Sequence, residues 1–258
     1  MLKHTITAVF FISILLLLAF LRLYMSIEIK YFIIVASLWF LVVLVGSSFI
    51  SLNYHVEAYC NNQLETEKKI AITFDDGPNE MTLLVLDVLK QYNAKATFFC
   101  IGKNIEKYPH ILKKIAEDGH LIGNHSYSHS SFFDFYRKNS VIDEIEKTDA
   151  LITAVLGTKT TLFRPPYGVT NPSIRRALEV TKHRTIGWNI RSLDGVLKNK
   201  KFIYNRIIKR IAPGGIVLLH DTSIETAQVL QQLLQFLHNN NYTVVSLEQL
   251  LKIKAYEE

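Results

Sequence analysis

The sequence contains only two cysteines, Cys60 and Cys100, and their positions do not favour a disulfide bond. Cys60 precedes the first predicted strand, whereas Cys100 closes the second. If these two strands are parallel, the thiols start at opposite ends of the sheet, an arrangement that disfavours the short distance that a disulfide bond needs. The cysteine content therefore does not identify the redox compartment.

The sequence also lacks a cluster of basic residues, internal repeats and low-complexity segments. Its net charge of +6 divides into +2 for residues 1–50, where Lys3, Arg22 and Lys30 stand against Glu28, and +4 for the rest. A charge of +4 spread over about 200 residues is not the concentrated stripe that binds nucleic acid. This balance excludes a nucleic-acid partner and suits a neutral or anionic polymer.

Charged residues are absent from two long apolar runs near the N-terminus, residues 6–21 and 31–50. A helix needs roughly 17–25 apolar residues to cross a bilayer, so the second run is long enough and the first is short. The first run could instead be the core of a signal peptide. Because no A-x-A-like cleavage site follows it before the second run, we predict a retained transmembrane hairpin in residues 1–50 and a polar linker in residues 51–67.

The few basic residues around the two runs predict the orientation of this hairpin. Arg22 and Lys30 lie between the runs, Lys3 precedes them, and no Lys or Arg follows them until Lys68. The positive-inside rule then places the connecting loop in the cytoplasm. We therefore expect the remainder of the chain to be membrane-anchored and periplasmic or otherwise extracytoplasmic.

From Lys68 onward, short apolar runs alternate with amphipathic stretches. Strands that alternate with helices of 10–15 residues predict βαβ units and a parallel sheet. The fold class is therefore α/β, a distorted (β/α) barrel with about seven parallel strands. The predicted strands are residues 69–74, 96–101, 120–123, 160–164, 184–190, 214–220 and 242–246, and the predicted helices are residues 80–92, 104–118, 138–156, 171–181, 199–211 and 223–239.

Ionisable side chains stand at the carboxyl ends of these strands, where parallel β/α folds assemble their active sites. Each of several strands contributes at least one such residue, so we expect them on one rim. They are Asp75 and Asp76 after the first strand, His125 and His129 after the third, Arg164 at the end of the fourth, Asp194 after the fifth and His220 at the end of the sixth.

The spacing of His125 and His129 in "GNHSYSHS" is typical of His-x-x-x-His metal sites. Two histidines with one carboxylate form a three-ligand set that is common in catalytic zinc sites, although cobalt, iron or nickel suit the same ligands. Such a cation would also explain the adjacent acids in "TFDDGP", because neighbouring carboxylates repel each other. One aspartate would bind the cation and the other would act as a base on water, unless the pair merely caps the turn before helix 80–92.

Arg164 and His220, the latter with Asp194 as its partner, each have both a functional and a structural interpretation. Arg164 begins "RPPYG", a rigid strand exit, and either holds a carboxylate in a bidentate contact or is a surface charge. His220 ends a buried strand and is either structural or a general acid. Paired with Asp194, which would raise its pKa, His220 could protonate a leaving amine.

The segments "TFDDGP", "HSYSH", "RPPY" and "LLH" occur in the order found in polysaccharide deacetylases, and residues 68–250 resemble this family. The family is also known as the NodB-homology group or carbohydrate esterase family 4. The resemblance implies a distorted β/α barrel in a catalytic domain of residues 68–258. It further implies roles for nine residues. Asp75 would be the base, oriented by Arg164, and Asp76, His125 and His129 would be the metal ligands. His220 would be the general acid, tuned by Asp194, while the Tyr167 N–H would bind the oxyanion and Leu218 would line the acetyl pocket.

One position departs from the family pattern, since Gly195 follows Asp194 where family members commonly have tryptophan. The resemblance implies hydrolysis of N-acetyl groups on amino sugars of a cell-envelope or extracellular glycan. The implied cofactor is one divalent ion, Zn²⁺ in the first place and otherwise Co²⁺ or another transition metal. Two alternatives remain: an O-acetyl esterase or small-amide hydrolase with the same site, and an inactive membrane-tethered glycan-binding domain.

Overall fold

The computed structural model describes residues 3–257 and begins with an apolar helical hairpin. Its helices are α1 (Lys3–Leu21) and α2 (Ile29–Ser48), and the stacked rings of Phe11 and Trp39 lie 6.0 Å apart between them. By length and composition, both helices are long and apolar enough to cross a membrane, and nearly all of their side chains are left uncovered by the rest of the molecule.

The hairpin is joined to the remainder of the chain at its open end. The Thr170 N–H donates a hydrogen bond of 3.0 Å to the Ser47 carbonyl, and the Ser47 hydroxyl lies 2.9 Å from His55 Nε2. The Tyr54 ring covers Gly46 so closely that a Cβ at that position would lie 2.4 Å from the ring. Glycine therefore permits this close approach.

Nine strands form one parallel sheet, which confirms the predicted α/β fold class. Along the sheet the order is β1-β6-β5-β4-β3-β2-β8-β7, and β9 pairs with the start of β2. The sheet curls into a barrel that is only partial, because its two edge strands, β1 and β7, are not joined in the part of the chain that the structure describes. The strands are β1 (Ala58–Tyr59), β2 (Lys69–Asp75), β3 (Thr97–Cys100), β4 (Leu121–Asn124), β5 (Leu162–Phe163), β6 (Arg184–Ile186), β7 (Ile190–Arg191), β8 (Gly215–His220) and β9 (Thr243–Val244).

All seven predicted strands are present, with two differences in detail. The predicted strand 184–190 is divided into β6, which pairs with β5, and β7, which pairs with β8. The short strand β1 lies in residues 51–67, the segment expected as a linker, and it pairs with β6. Cys60, in the same segment, is buried. The boundary between anchor, linker and catalytic domain remains a prediction.

Among residues 3–257, eight further helices lie between or after the strands, and five of them begin with a side-chain cap. Asn79 and Thr82 form a capping box at α3, and the Asn171 side chain accepts from two N–H groups at the start of α7. Predicted helix 104–118 is divided at Pro109, which has no N–H to continue the ladder. The helices are α3 (Glu80–Gln91), α4 (Gly102–Lys107), α5 (Pro109–Glu117), α6 (Lys138–Leu156), α7 (Pro172–Thr181), α8 (Lys200–Ile208), α9 (Ile224–Asn239) and α10 (Leu247–Leu251).

Apolar side chains from the helices and the sheet form the core that fixes the strand ends. Val85 and Leu89 of α3 and Leu230 of α9 pack with Phe74 and Val217 of the central strands. Because every strand is parallel, all carboxyl ends point to one face of the molecule. Cys60 and Cys100 are both free and buried, in agreement with the expected lack of a disulfide bond.

Candidate active site

The carboxyl ends of the strands surround a cavity of about 180 Å³. Strand register places Asp75 at the end of β2 directly beside His220 at the end of β8. Of the nine predicted site residues, seven line this cavity and two, Arg164 and Asp194, are buried behind it. The seven are Asp75, Asp76, His125, His129, Tyr167, Leu218 and His220. The nine residues that the motifs singled out therefore meet at one place.

Asp76, His125 and His129 form a group that could hold a metal ion. One potential ligand atom from each residue lies within 4.8 Å of the others, and Asp76 Oδ1 is 3.5 Å from Nε2 of both histidines. Asp76 has a left-handed backbone (φ 75°), and its buried Oδ1 has no hydrogen-bond partner among the described residues. A buried carboxylate oxygen without a donor, facing two imidazole nitrogens, fits a divalent cation.

The tautomer of His125 also suits a metal ligand. Its Nδ1 lies 2.7 Å from the Arg164 carbonyl, which can only accept, so Nδ1 carries the proton. The lone pair of Nε2 then faces Asp76, as in sites where a second hydrogen bond orients a ligating histidine. Burial opposes ionisation of Asp76, but the nearby His125, His129 and His220 bring the pKa of this carboxyl below its usual value. The Asp76 carboxylate is therefore in the ionised form that binding a cation requires.

Glu144 of α6 holds the turn between the two histidines, and the sequence analysis missed it. Its Oε2 accepts hydrogen bonds from the N–H groups of Tyr127 and Ser128 at 3.1 and 2.7 Å, and from the Ser128 hydroxyl at 3.0 Å. The only available signal was its position in the helix, between the buried residues Val141 and Ile145. A carboxylate at the border of an apolar helix face is frequently solvated, so that signal is weak.

Arg164 holds Asp75 from behind the cavity. The guanidinium is fully buried, and Nη1 donates to Asp75 Oδ1 at 2.6 Å and to Thr73 Oγ1 at 2.8 Å. Its other donors contact the carbonyls of Ile186 (3.1 Å) and Gly187 (3.0 Å). The contact with Asp75 therefore involves one nitrogen, not the bidentate pair expected from the sequence, because the main chain of β6 uses the remaining donors.

His220 and Asp194 form a hydrogen-bonded pair on the other side of the cavity. His220 Nδ1 donates to Asp194 Oδ1 at 2.8 Å, and the His220 N–H donates to Oδ2 at 2.8 Å. Burial lowers the pKa of His220, but Asp194, with smaller contributions from Asp75 and Asp76, raises it to about 9. The hydroxyls of Ser192 and Thr226 also bond to Asp194, and neither was singled out from the sequence.

The remaining wall of the cavity contains Tyr167, Leu218 and a glycine. Tyr167 has a left-handed backbone (φ 59°), and its ring lies 4.8 Å from the His129 ring. Leu218 is buried at the cavity wall. A Cβ at Gly195 would lie 3.1 Å from the His220 ring, so a side chain there would press on the imidazole. Trp188, which the sequence left as a possible core residue, lines the cavity together with Arg191 and Val196.

Comparison with known proteins gives matches to one family. The family model for polysaccharide deacetylase matches residues 62–186. A peptidoglycan-N-acetylglucosamine deacetylase of Bacillus cereus is 34% identical over 197 residues, which are 73% of this chain and 90% of that protein. The chain belongs to the polysaccharide deacetylase family. Other family members are longer than this chain. The chain spans 40% of the peptidoglycan-N-acetylmuramic acid deacetylase PdaC of Bacillus subtilis, with 33% identity over 74% of this chain. It spans 60% of a second B. cereus N-acetylglucosamine deacetylase, with 37% identity over 64% of this chain.

Solved structures of polysaccharide deacetylases have the same fold. The Bc1960 peptidoglycan N-acetylglucosamine deacetylase superimposes with a TM-score of 0.69 at 32% identity, covering 75% of this chain and 92% of that one. BA3943 of Bacillus anthracis, described as a family pseudoenzyme, superimposes with a TM-score of 0.67 at 28% identity, covering 72% of this chain and 66% of that one. The family therefore contains both active enzymes and a member without activity.

Proposed function

We propose that this chain is a metal-dependent hydrolase that removes N-acetyl groups from amino sugars of a cell-envelope glycan. The observation that carries the proposal is the pairing of two groups across one cavity. On one side, Asp76, His125 and His129 offer metal ligands, and on the other side His220 is held protonated by Asp194. Relatives named for action on peptidoglycan make an acetylated glycan the substrate class.

The proton transfers follow from the positions of Asp75 and His220. Asp76, His125 and His129 would hold a divalent cation, which would supply a lowered pKa of water and polarisation of the acyl oxygen. Asp75, which accepts a hydrogen bond from Arg164, takes a proton from the attacking water, and the Tyr167 N–H stabilises the oxyanion. His220 donates its proton to the departing amine, and acetate and a free amino sugar leave.

The protonated state of His220 supports an N-acetyl substrate over an O-acetyl ester. An amine leaves only after its nitrogen is protonated, whereas an alkoxide leaves with less assistance. A half-buried histidine with a pKa of about 9 is charged at neutral pH and is suited to the harder task. Leu218 offers an apolar wall for the acetyl methyl group. The ligand set suits Zn²⁺ first, with Co²⁺ as an alternative.

We propose that residues 1–50 anchor the enzyme in a membrane, with residues 51–67 leading to a catalytic domain of residues 68–258. Two long apolar helices support the anchor, and Arg22 and Lys30 in and beside their connection support a cytoplasmic loop. The catalytic domain then lies outside the cytoplasm, where peptidoglycan is found. A reporter fused after residue 258 that is active only in the cytoplasm should be silent.

The test is acetate release from N-acetylated glycans by the full chain in detergent. We expect activity with Zn²⁺ or Co²⁺, loss of activity on thorough chelation, and recovery when the metal returns. Asp76→Ala should be inactive at any metal loading, and Asp87→Ala, on the exposed face of α3, should match the wild type. Full activity of Asp76→Ala in chelated buffer would falsify the mechanism, and glycan binding without acetate release would favour an inactive binding domain.

A further inference from the structure

The membrane hairpin is attached beside the mouth of the candidate active site. Ser47, at the end of α2, accepts a hydrogen bond from Thr170, which lies three residues after Tyr167 in the same loop. Ile50, just beyond the hairpin, belongs to a small buried cluster with Ala58 and Cys60, against which the cavity residue Trp188 packs. The mouth of the cavity is therefore on the side of the molecule where the hairpin enters the proposed membrane.

Exposed apolar side chains are concentrated on the carboxyl-end face of the sheet, the face on which this mouth opens. Beyond residue 52, eleven large apolar side chains are exposed, and seven of them are on loops that leave strand carboxyl ends or on the first turn of the next helix. One of the seven is Tyr167. The other six form what we call the apolar rim: Phe132, Phe135, Val196, Leu197, Phe202 and Ile224. Phe135 is 83% and Val196 is 77% exposed. An apolar surface of this kind marks a binding face.

Basic residues lie among the residues of the rim. Lys198, Lys200 and Lys201 fill the sequence between Leu197 and Phe202, and Arg137 and Lys138 follow Phe135. The segments 132–138 and 196–202 together contain five basic residues and one acid, Asp134. Apolar side chains mixed with lysine and arginine are the composition of surfaces that dip into a bilayer interface and bind anionic headgroups.

We propose that the apolar rim docks on the bilayer that holds the hairpin, so that the site acts on an N-acetylated saccharide linked to a lipid. The second half of this proposal rests on the proposed deacetylase function. The aliphatic residues Val196, Leu197 and Ile224 favour lipid over a polymer strand, because sugars stack on flat aromatic faces. The cavity of about 180 Å³ is below the roughly 300–1,000 Å³ typical of small-molecule pockets and suits one acetylated sugar.

Docking is tested without any reference to activity. The full chain is reconstituted in phosphatidylglycerol vesicles, with a bimane label on Phe135→Cys or, as a control, on Val180→Cys, near the end of α7 far from the rim. Both native cysteines are buried, which favours selective labelling. We expect lipids brominated on their acyl chains to quench the label at position 135 and not at position 180. Equal quenching at the two positions, or none at 135, would overturn the docking proposal.

The substrate class is tested in the same vesicles. The probe is hexadecyl N-acetyl-β-glucosaminide in the bilayer, compared with methyl N-acetyl-β-glucosaminide in solution. The double variant Phe132→Ser/Phe135→Ser should lose about tenfold or more of its rate on the hexadecyl probe, since two rings lose apolar burial, and less than about twofold on the methyl probe. The matched control, Leu64→Ser/Val180→Ser, removes two exposed apolar side chains outside the rim and should change neither rate.

The possible results separate the two proposals. An equal loss of rate on both probes would show that the rim binds the sugar itself and would overturn a lipid-linked substrate. A faster reaction with peptidoglycan strands than with the hexadecyl probe would also overturn it. If the chain released no acetate from any substrate with Zn²⁺ or Co²⁺, the proposed function would fail, and the labelling result would still decide whether the rim meets the bilayer.

Discussion

Replacing Asp194 by asparagine tests the acid half of the site without changing its shape. The carboxylate contacts His220 twice, through Nδ1 and through the main-chain N–H, and asparagine keeps the size of the side chain while removing its charge. Burial by itself lowers the pKa of His220, and Asp194 is the main group that raises it. In Asp194→Asn we therefore expect the pKa of His220 to fall to 6.5 or below.

The size of the effect follows from the two pKa values. A change from about 9 to 6.5 corresponds to about 3 kcal/mol between the protonation states. At pH 8 the protonated fraction of His220 falls from about nine-tenths to about three-hundredths, so the rate should fall about 30-fold. Near pH 6 the variant should recover most of this loss. The contribution of Asp194 is independent of any cation on Asp76, which makes it the right group to remove.

The assay is kcat/KM for acetate release between pH 5.5 and 10. The alkaline limb should move from near 9 in the wild type to 6.5 or lower in Asp194→Asn. Thr226→Val is the matched control, since it removes a hydrogen bond of 2.8 Å to Asp194 and leaves the charge in place. Its limb should move by less than about half a pH unit. An unmoved alkaline limb in Asp194→Asn would refute His220 as the general acid.

The same pair predicts a pH dependence of stability. Because the pKa of His220 is higher in the folded state, its protonation stabilises the fold fully below pH 6.5, and this stabilisation is lost as the pH rises through about 9. Urea unfolding of wild type and Asp194→Asn should differ most at pH 6 and converge above pH 9. A constant difference across this range would contradict the linkage.

Two further variants address the groups behind the cavity. Arg164→Met leaves Asp75 buried without the guanidinium that pairs with it, and should lower the free energy of unfolding, measured by urea denaturation, by about 3–5 kcal/mol. The double variant Arg164→Met/Asp75→Leu should regain part of this free energy. A double variant no more stable than the single one would argue against the pair. Glu144→Gln weakens the hydrogen bonds that orient the turn between His125 and His129, so the affinity for zinc should fall about 10-fold or more in a competition titration. The exposed control variant Glu146→Gln should bind zinc like the wild type. Equal affinities would remove Glu144 from the site.

The strands that the sequence predicts are those with enough apolar residues to be recognised alone. β2 and β8 are continuous buried runs and match the expected positions within one residue. β1 was missed because it has only two residues and pairs with a strand more than 120 residues further along the chain, so no local pattern marks it. The break between α4 and α5 was available from Pro109, because a proline interrupts the helical ladder.

For the site, the sequence predicts which residues gather and not how they are supported. Strand-end positions suffice for the first task, because parallel strands place their carboxyl ends together. Glu144, Ser192 and Thr226 act through hydrogen bonds to loops whose conformation depends on the whole fold. Arg164 illustrates the same limit: its position was predicted, but its single contact with Asp75 depends on carbonyls of β6 and the residue that follows it.

The adjacent acids at the end of β2 are compatible because each has partners of its own, and His125 Nε2 lies near both, 3.8 Å from Asp75 Oδ2 and 3.5 Å from Asp76 Oδ1. Asp75 continues the strand and meets the guanidinium of Arg164, and the left-handed backbone of Asp76 turns its carboxylate toward the two histidines. In the proposed mechanism, loss of the partners on either side would remove one half of the chemistry. A family that includes a pseudoenzyme with the same fold is consistent with this separation. The proposed mechanism requires both sets of partners, and both are present among the described residues.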